Sequence, residues 1–292
     1  MLTLEAITLD NIRYEPLAAT SWCATATIST ALMAPVILWP QLRSHLPSQL
    51  APYPDPCSDC PNTRDIPLLY WNKVSQQQPL SILAVAHHKR QQQRKGVRLL
   101  LKDLLKKLNI TDHLDDSAFP YRLSNSGYYV CFSHSDDHTQ RFSKQVNSSP
   151  RFEYKLQSKV AVAISLRCAI GIDIETQLVA WPTVQRYYHA NELLILATLP
   201  QSKRDITAKY LWQLKESMIK INNAKLAQGL GVDYSAIIPV LKSKLSATGF
   251  ASHPIKSNLT ATHSTSIINE IEVGKTSYQL AILAEQQTLV VF

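Results

Sequence analysis

The chain has 292 residues, a formal charge of +8 and a pI near 9.2, with 45% apolar and 18% charged residues. That apolar content suffices for one large domain or two packed lobes and excludes a disordered chain. The positive balance favours anionic partners, whether nucleic acid, a phosphate-rich ligand, an acidic protein or an anionic membrane, without choosing among them.

The uncharged stretch 16–40 is rich in Ser and Thr and carries Pro35, so it does not read as a spanning helix, which needs about 20 predominantly apolar residues. Glu5 and Asp10 stand where a signal peptide would be basic, so a cytoplasmic protein is expected. Trp22 to Leu32 reads as a strand. Seven prolines between Pro40 and Pro67 mark a surface loop or insertion. Inside it, Cys57 and Cys60 form a lone CxxC, without the second pair of ligands that a zinc site requires. Five cysteines, an odd number, argue against a disulfide framework.

Ile82 to Val85 reads as a strand leading into a basic segment. Leu100, Leu101, Leu104, Leu105 and Leu108 then recur at helical spacing. Residues 111–127 read as loop. Tyr128 to Phe132 is a β-rich run ending in Ser133-His134-Ser135, and 136–157 is polar and irregular. Strands are expected over 160–164 and 169–175. Asp205 is placed as the N-cap of a helix over 206–226, ended by Gly229 and Gly231. Further strands are expected at 265–273, 277–284 and 288–292. Strands and helices in both halves, without regular βαβ units, indicate an α+β fold with two lobes.

Four groups of residues carry possible chemistry. In Gly171-Ile172-Asp173-Ile174-Glu175, strand alternation points Asp173 and Glu175 to one face while Ile172 and Ile174 pack inward. The pair suits either an ordinary solvated face or a hard cation such as Mg²⁺, which prefers oxygen ligands. In Trp212-Gln213-Leu214-Lys215-Glu216-Ser217-Met218-Ile219-Lys220, Glu216 and Lys220 share a helical face with Trp212, either as a surface ion pair or as part of a site. His134, between two hydroxyl residues, either donates to a phosphate or closes a turn. The run His87, His88, Lys89, Arg90, Arg94, Lys95, Arg98 and Lys102 is either a solvated helix face or a phosphate cradle.

Taken in order, these segments resemble the 4′-phosphopantetheinyl transferase superfamily, of the larger type that serves peptide, polyketide and fatty-acid synthases. The resemblance rests on Ser133-His134-Ser135, on Gly171 to Glu175 and on Trp212 to Lys220. Arg186 to Glu192 is similar to the family's aromatic stretch before a Glu. It covers about residues 80–285.

The resemblance implies two similar α+β lobes, 1–166 and 167–292, related by a pseudo-twofold, with coenzyme A between them. It implies that Asp173, Glu175 and Glu216 hold Mg²⁺ and that Glu216 is the base for the carrier serine. Lys220 neutralises the leaving phosphate. Ser133, His134 and Lys215 lie at the pyrophosphate; Lys89, Arg94 and Lys102 lie around the 3′-phosphate; Arg122 lies in the adenine loop. The implied partner is an acidic apo carrier protein and the implied state a monomer. A cleft that binds coenzyme A without transfer, and a basic nucleic-acid binder with salt-dependent affinity, are the alternatives.

Overall fold

In the computed structural model, residues 7–32, 82–136, 154–247 and 267–292 are described. The Pro-rich segment with Cys57 and Cys60 and most of the irregular stretch 136–157 lie outside the described residues.

Alternation of large and small side chains builds the first sheet. On β6 (Tyr154–Ser165), Val160, Val162 and Ile164 point one way and Ala161 and Ala163 the other. The bulky face packs with Ala24, Ala26 and Ile28 against Val97, Leu100, Leu101 and Leu104 of a long helix, α1 (Ile82–Lys107). The small face meets a second sheet through Cys23, Cys131, Ala161 and Ala163. Short side chains there let the two sheets approach closely.

The first sheet is antiparallel, ordered β1-β2-β6-β5-β4-β3. Its other strands are β1 (Thr8–Ala18), β2 (Ser21–Leu32), β3 (Leu114–Asp115), β4 (Tyr121–Leu123) and β5 (Tyr129–Asp136). The second, also antiparallel, is ordered β7-β10-β9-β8, from β7 (Gly171–Ile174), β8 (Ile267–Val273), β9 (Thr276–Leu283) and β10 (Thr288–Val291).

Ile172, Ile174, Ala281 and Val290 of the second sheet face the first. Its other face, with Leu280, Ile282, Leu289 and Val291, carries the C-terminal helices. These are α2 (Trp181–Tyr187), α3 (Ala190–Ala197), α4 (Gln201–Asn222), α5 (Leu226–Leu230) and α6 (Ile238–Ala247). Leu211, Leu214 and Met218 of α4 belong to that contact, and burying each such side chain contributes about 1.5–3 kcal/mol. The result is a mixed α+β molecule layered helix, sheet, sheet, helix.

Gly171 permits the contact that positions the site. A Cβ there would lie 2.1 Å from the Ser217 carbonyl oxygen, so only glycine lets α4 lie this close to β7.

Several expectations change. Ile82 to Val85 is the first turn of α1, not a strand, because four apolar residues in a row fit either state and the following helix absorbs them. Residues 111–127 contain β3 and β4. Asp205 is not an N-cap: α4 begins at Gln201 after Pro200, and Asp205 pairs with Arg204 inside it. The same helix ends at Asn222, where Asn223 adopts φ 49°, a left-handed C-cap that asparagine tolerates. Strand β1 has no counterpart in the expectations. Among the described residues no helix is long and apolar enough to cross a membrane.

Candidate active site

Strand β7 is an edge strand, and its outer N–H groups need partners. The neighbouring β5 supplies side chains in place of a backbone ladder. Ser133 Oγ accepts from Ile174 N at 3.2 Å, and Ser135 Oγ accepts from Thr176 N at 3.1 Å. The Cys131 thiol takes the Ile172 N–H in the same way. Alternation on one strand therefore matches alternation on the other, and the two sheets are stitched at every second residue.

The same hydroxyls hold the carboxylates. Ser133 Oγ donates to Asp173 Oδ1 at 2.8 Å, and Ser135 Oγ donates to Glu175 Oε1 at 3.0 Å. Asp173 and Glu175 do share a side of the chain, and Ile172 and Ile174 do pack inward. Ser133 is thus occupied by Asp173 and the β7 backbone.

Helix α4 brings the remaining groups along one face, antiparallel to β7. Lys220 Nζ lies 3.0 Å from Asp173 Oδ1 and donates to Ile172 O at 2.7 Å. Glu216 is hydrogen-bonded both to Trp212, whose indole can only donate, and to Asp173. Trp212 in turn stacks on Tyr188, with ring centroids 6.3 Å apart.

Burial, then the facing Asp173 carboxylate, push the Glu216 carboxyl up to about 7 against the pull of Lys220. Burial is the largest influence and opposes the Lys220 charge, but Asp173, Cys131 and Glu216 together outweigh it and hold the ammonium above its ordinary value. Gln213 Nε2, one turn earlier, donates to Asp173 O at 3.3 Å and Gln287 O at 2.7 Å.

His134 points to the opposite side of β5 from the two serines, toward α1. It lines a cavity of about 520 Å³ with Lys89, Arg90 and Gln93 of α1 and with Ser135, Asp136 and Glu175. That volume falls within the usual range for small-molecule sites. His134 is exposed at the cavity mouth; the partial burial of its ring, and the Lys220 ammonium after it, lower its pKa. Lys89 lies 2.9 Å from Asp136 Oδ1, which also accepts from Gln93 Nε2 at 2.7 Å.

Other expected site residues fall elsewhere. Lys215 turns away from the carboxylates. Its ammonium, fully buried, lies 2.8 Å from an equally buried Glu192 and donates to Leu230 O and Val232 O. Positions i and i+1 of a helix point about 100° apart, so Lys215 cannot share a face with both Glu216 and Lys220. Arg94 and Lys102 lie outside the cavity lining, exposed on α1. Lys102 is thirteen residues from Lys89, about 20 Å along the helix, too far for both to grip one phosphate. Arg122, at the far end of β5 from His134, lies over the Tyr129 ring and donates to its hydroxyl at 2.6 Å.

Lys209, Gln93 and Asp136, and Gln213 within the Trp212–Lys220 segment, belong to the surroundings although no motif assigned them a role. Lys209 is buried one helical repeat before Gln213. Burial draws its ammonium down to about 8 against the opposing pull of Glu175. The spacing 209, 213, 216, 220 along one helical face was the available signal.

Asp173 and Glu216 form an oxygen-rich pair whose crowding, visible in the raised Glu216 carboxyl, fits a hard divalent cation. Glu175 is engaged by Ser135 and by Gln177 N, and among the described residues no three His, Cys, Asp or Glu side chains converge as a metal cage. The residues thus fit such a cation through two carboxylates, with Glu175 beside them at the cavity. Compared with protein-family models and with curated proteins, the chain matches none.

Proposed function

We propose that the chain is a 4′-phosphopantetheinyl transferase, moving the phosphopantetheine arm of coenzyme A onto the serine of an acidic apo carrier protein. One observation carries this reading: the cavity with Lys89, Arg90 and His134 directly adjoins the Asp173, Glu216 and Lys220 cluster through Glu175. An anion-binding pocket beside crowded carboxylates and a lysine suits phosphoryl-type transfer, in which positioning and charge neutralisation do most of the catalysis.

In this assignment Lys89, Arg90 and His134 bind the phosphates of coenzyme A. Asp173 and Glu216 would hold Mg²⁺, and Glu175 would join them if it released Ser135. When bound, the cation supplies Lewis-acid stabilisation of the pyrophosphate. Glu216 takes the proton of the attacking serine, directly or through a water. Lys220, already beside Asp173, offsets charge on the departing 3′,5′-ADP. Two lobes, 1–166 and 167–292, related by a pseudo-twofold complete the proposal; in its support, each sheet carries one long helix, α1 or α4, on its outer face.

Incubation with coenzyme A, Mg²⁺ and a panel of apo carriers tests it. The expected result is a carrier heavier by one phosphopantetheine at its serine. No mass gain on any carrier, from a protein that binds coenzyme A, would overturn the transferase assignment.

A further inference from the structure

The cavity that would receive a phosphate already contains an anion of the protein's own. Asp136 follows the Ser-His-Ser strand and projects into the same space as His134 and Lys89. Its Oδ1 lies 2.9 Å from Lys89 Nζ and accepts from Gln93 Nε2 at 2.7 Å. Gln93 is anchored from behind by Ser158 Oγ at 3.2 Å, so the contact is held on both sides.

Before any cation binds, the charged groups lining the cavity are Lys89 and Arg90 against Asp136 and Glu175, and their formal charges cancel, His134 adding a charge only when protonated. A site built only to hold a polyanion would carry net positive charge, because each unpaired cation adds a charge-assisted contact. Here the most enclosed cation, Lys89, with 21% of its side chain exposed, is already taken by a carboxylate.

We propose that Asp136 is a built-in competitor for the anion site: its carboxylate occupies the Lys89 ammonium that a ligand phosphate must take, and so sets the affinity and phosphate selectivity of the cavity. A phosphate entering the cavity separates Lys89 from Asp136 and leaves that carboxylate facing the incoming charge. Only a ligand with enough negative charge to outbid a carboxylate gains Lys89. A doubly phosphorylated nucleotide meets that condition better than a singly phosphorylated one. This rests on the cavity being the coenzyme A phosphate site.

The test is calorimetric binding of 3′,5′-ADP and of 5′-AMP to the full chain and to Asp136→Asn, Lys89→Gln and the double variant. Asn keeps an oxygen for Gln93 and removes the charge. Asp136→Asn should bind 3′,5′-ADP about threefold to tenfold more tightly. It should also narrow the preference for 3′,5′-ADP over 5′-AMP, and the gain should vanish when Lys89 is Gln. Asp116→Asn, which alters a surface pair with Arg98 on the same helix, should leave both affinities unchanged. If Asp136→Asn unfolds, Asp136→Ser serves in its place.

Equal or weaker binding by the charge-removed variant, or a gain that persists without Lys89, overturns the inference, as does failure of every variant to bind 3′,5′-ADP. Carrier modification measured on the same samples separates the two claims. Tightened binding with no transfer by the unaltered chain refutes the transferase and leaves the competitor standing, whereas transfer with unchanged affinities refutes only the competitor.

Discussion

At the scale of single residues, Glu216 carries the most chemistry. Its carboxyl is raised from 4.5 to about 7, so the folded chain binds a proton there that the unfolded chain has lost. Stability therefore falls as pH rises from about 4.5 to about 7, by about 1–3 kcal/mol for this group. Glu216→Gln should remove that fall, seen as urea midpoints that no longer drop across this window. Mg²⁺ at pH 8 should raise the melting temperature of the unaltered chain, because a cation relieves the Asp173–Glu216 repulsion, and should do so much less in Glu216→Gln. The same variant should transfer phosphopantetheine about 10² to 10⁴ times more slowly if Glu216 is the base. Glu216 was legible before the fold was known, since its spacing from Trp212 and Lys220 already placed it on their face. Asp136 was not, because an acidic residue after a Ser-His-Ser run carries no signal until α1 brings Lys89 to it.

At the scale of elements, α4 works through two faces. One presents Lys209, Gln213, Glu216 and Lys220 to β7, and the other carries Lys215 to Glu192 at the start of α3. Glu192 closes the N-terminus of α3, accepting from His189 N at 2.9 Å, and also accepts from Tyr234 N at 2.8 Å. Replacing Lys215 by Met strands this buried carboxylate and should cost about 3–5 kcal/mol in urea unfolding. Glu192→Gln in the Lys215→Met background should recover part of the loss. Coenzyme A affinity of the folded protein should be unchanged, whereas a residue at the pyrophosphate would lose affinity. Chain order alone could not separate Lys215 from Glu216, because adjacent residues differ only in where the helix turns them, and burial decides that.

For the whole molecule, the junction between sheets is a row of short polar side chains over a small-residue core. Ser133→Ala would leave Ile174 N without its acceptor and take the hydroxyl donor from Asp173, which keeps Lys220. A buried group so stranded costs about 1–3 kcal/mol, and Cys131 and Ser135 already serve Ile172 N and Thr176 N. The expected outcome is a lower urea midpoint together with a local loss of hydrogen-exchange protection: Ile174 and its β7 neighbours should exchange faster than the core of α1, which packs on the first sheet. Uniform loss across both sheets would mean that the stitch is not a local hinge between them.

Local pattern alone determined the α+β class, the strands at β2, β5, β6, β7, β8, β9 and β10, the helical part of α1, the body of α4, and the pairing of Asp173 with Glu175 on one side. These follow from period-two and period-3.6 repetition, which each segment carries by itself. Tertiary structure decided the rest. It turned Ile82 to Val85 into helix, put Lys215 in a buried ion pair, separated Lys102 from Lys89, and set Asp136 against Lys89. Each of these depends on which distant segment lies opposite, and side-chain roles in a buried or half-buried site are fixed by the charge and shape of that neighbour rather than by the residue's own type.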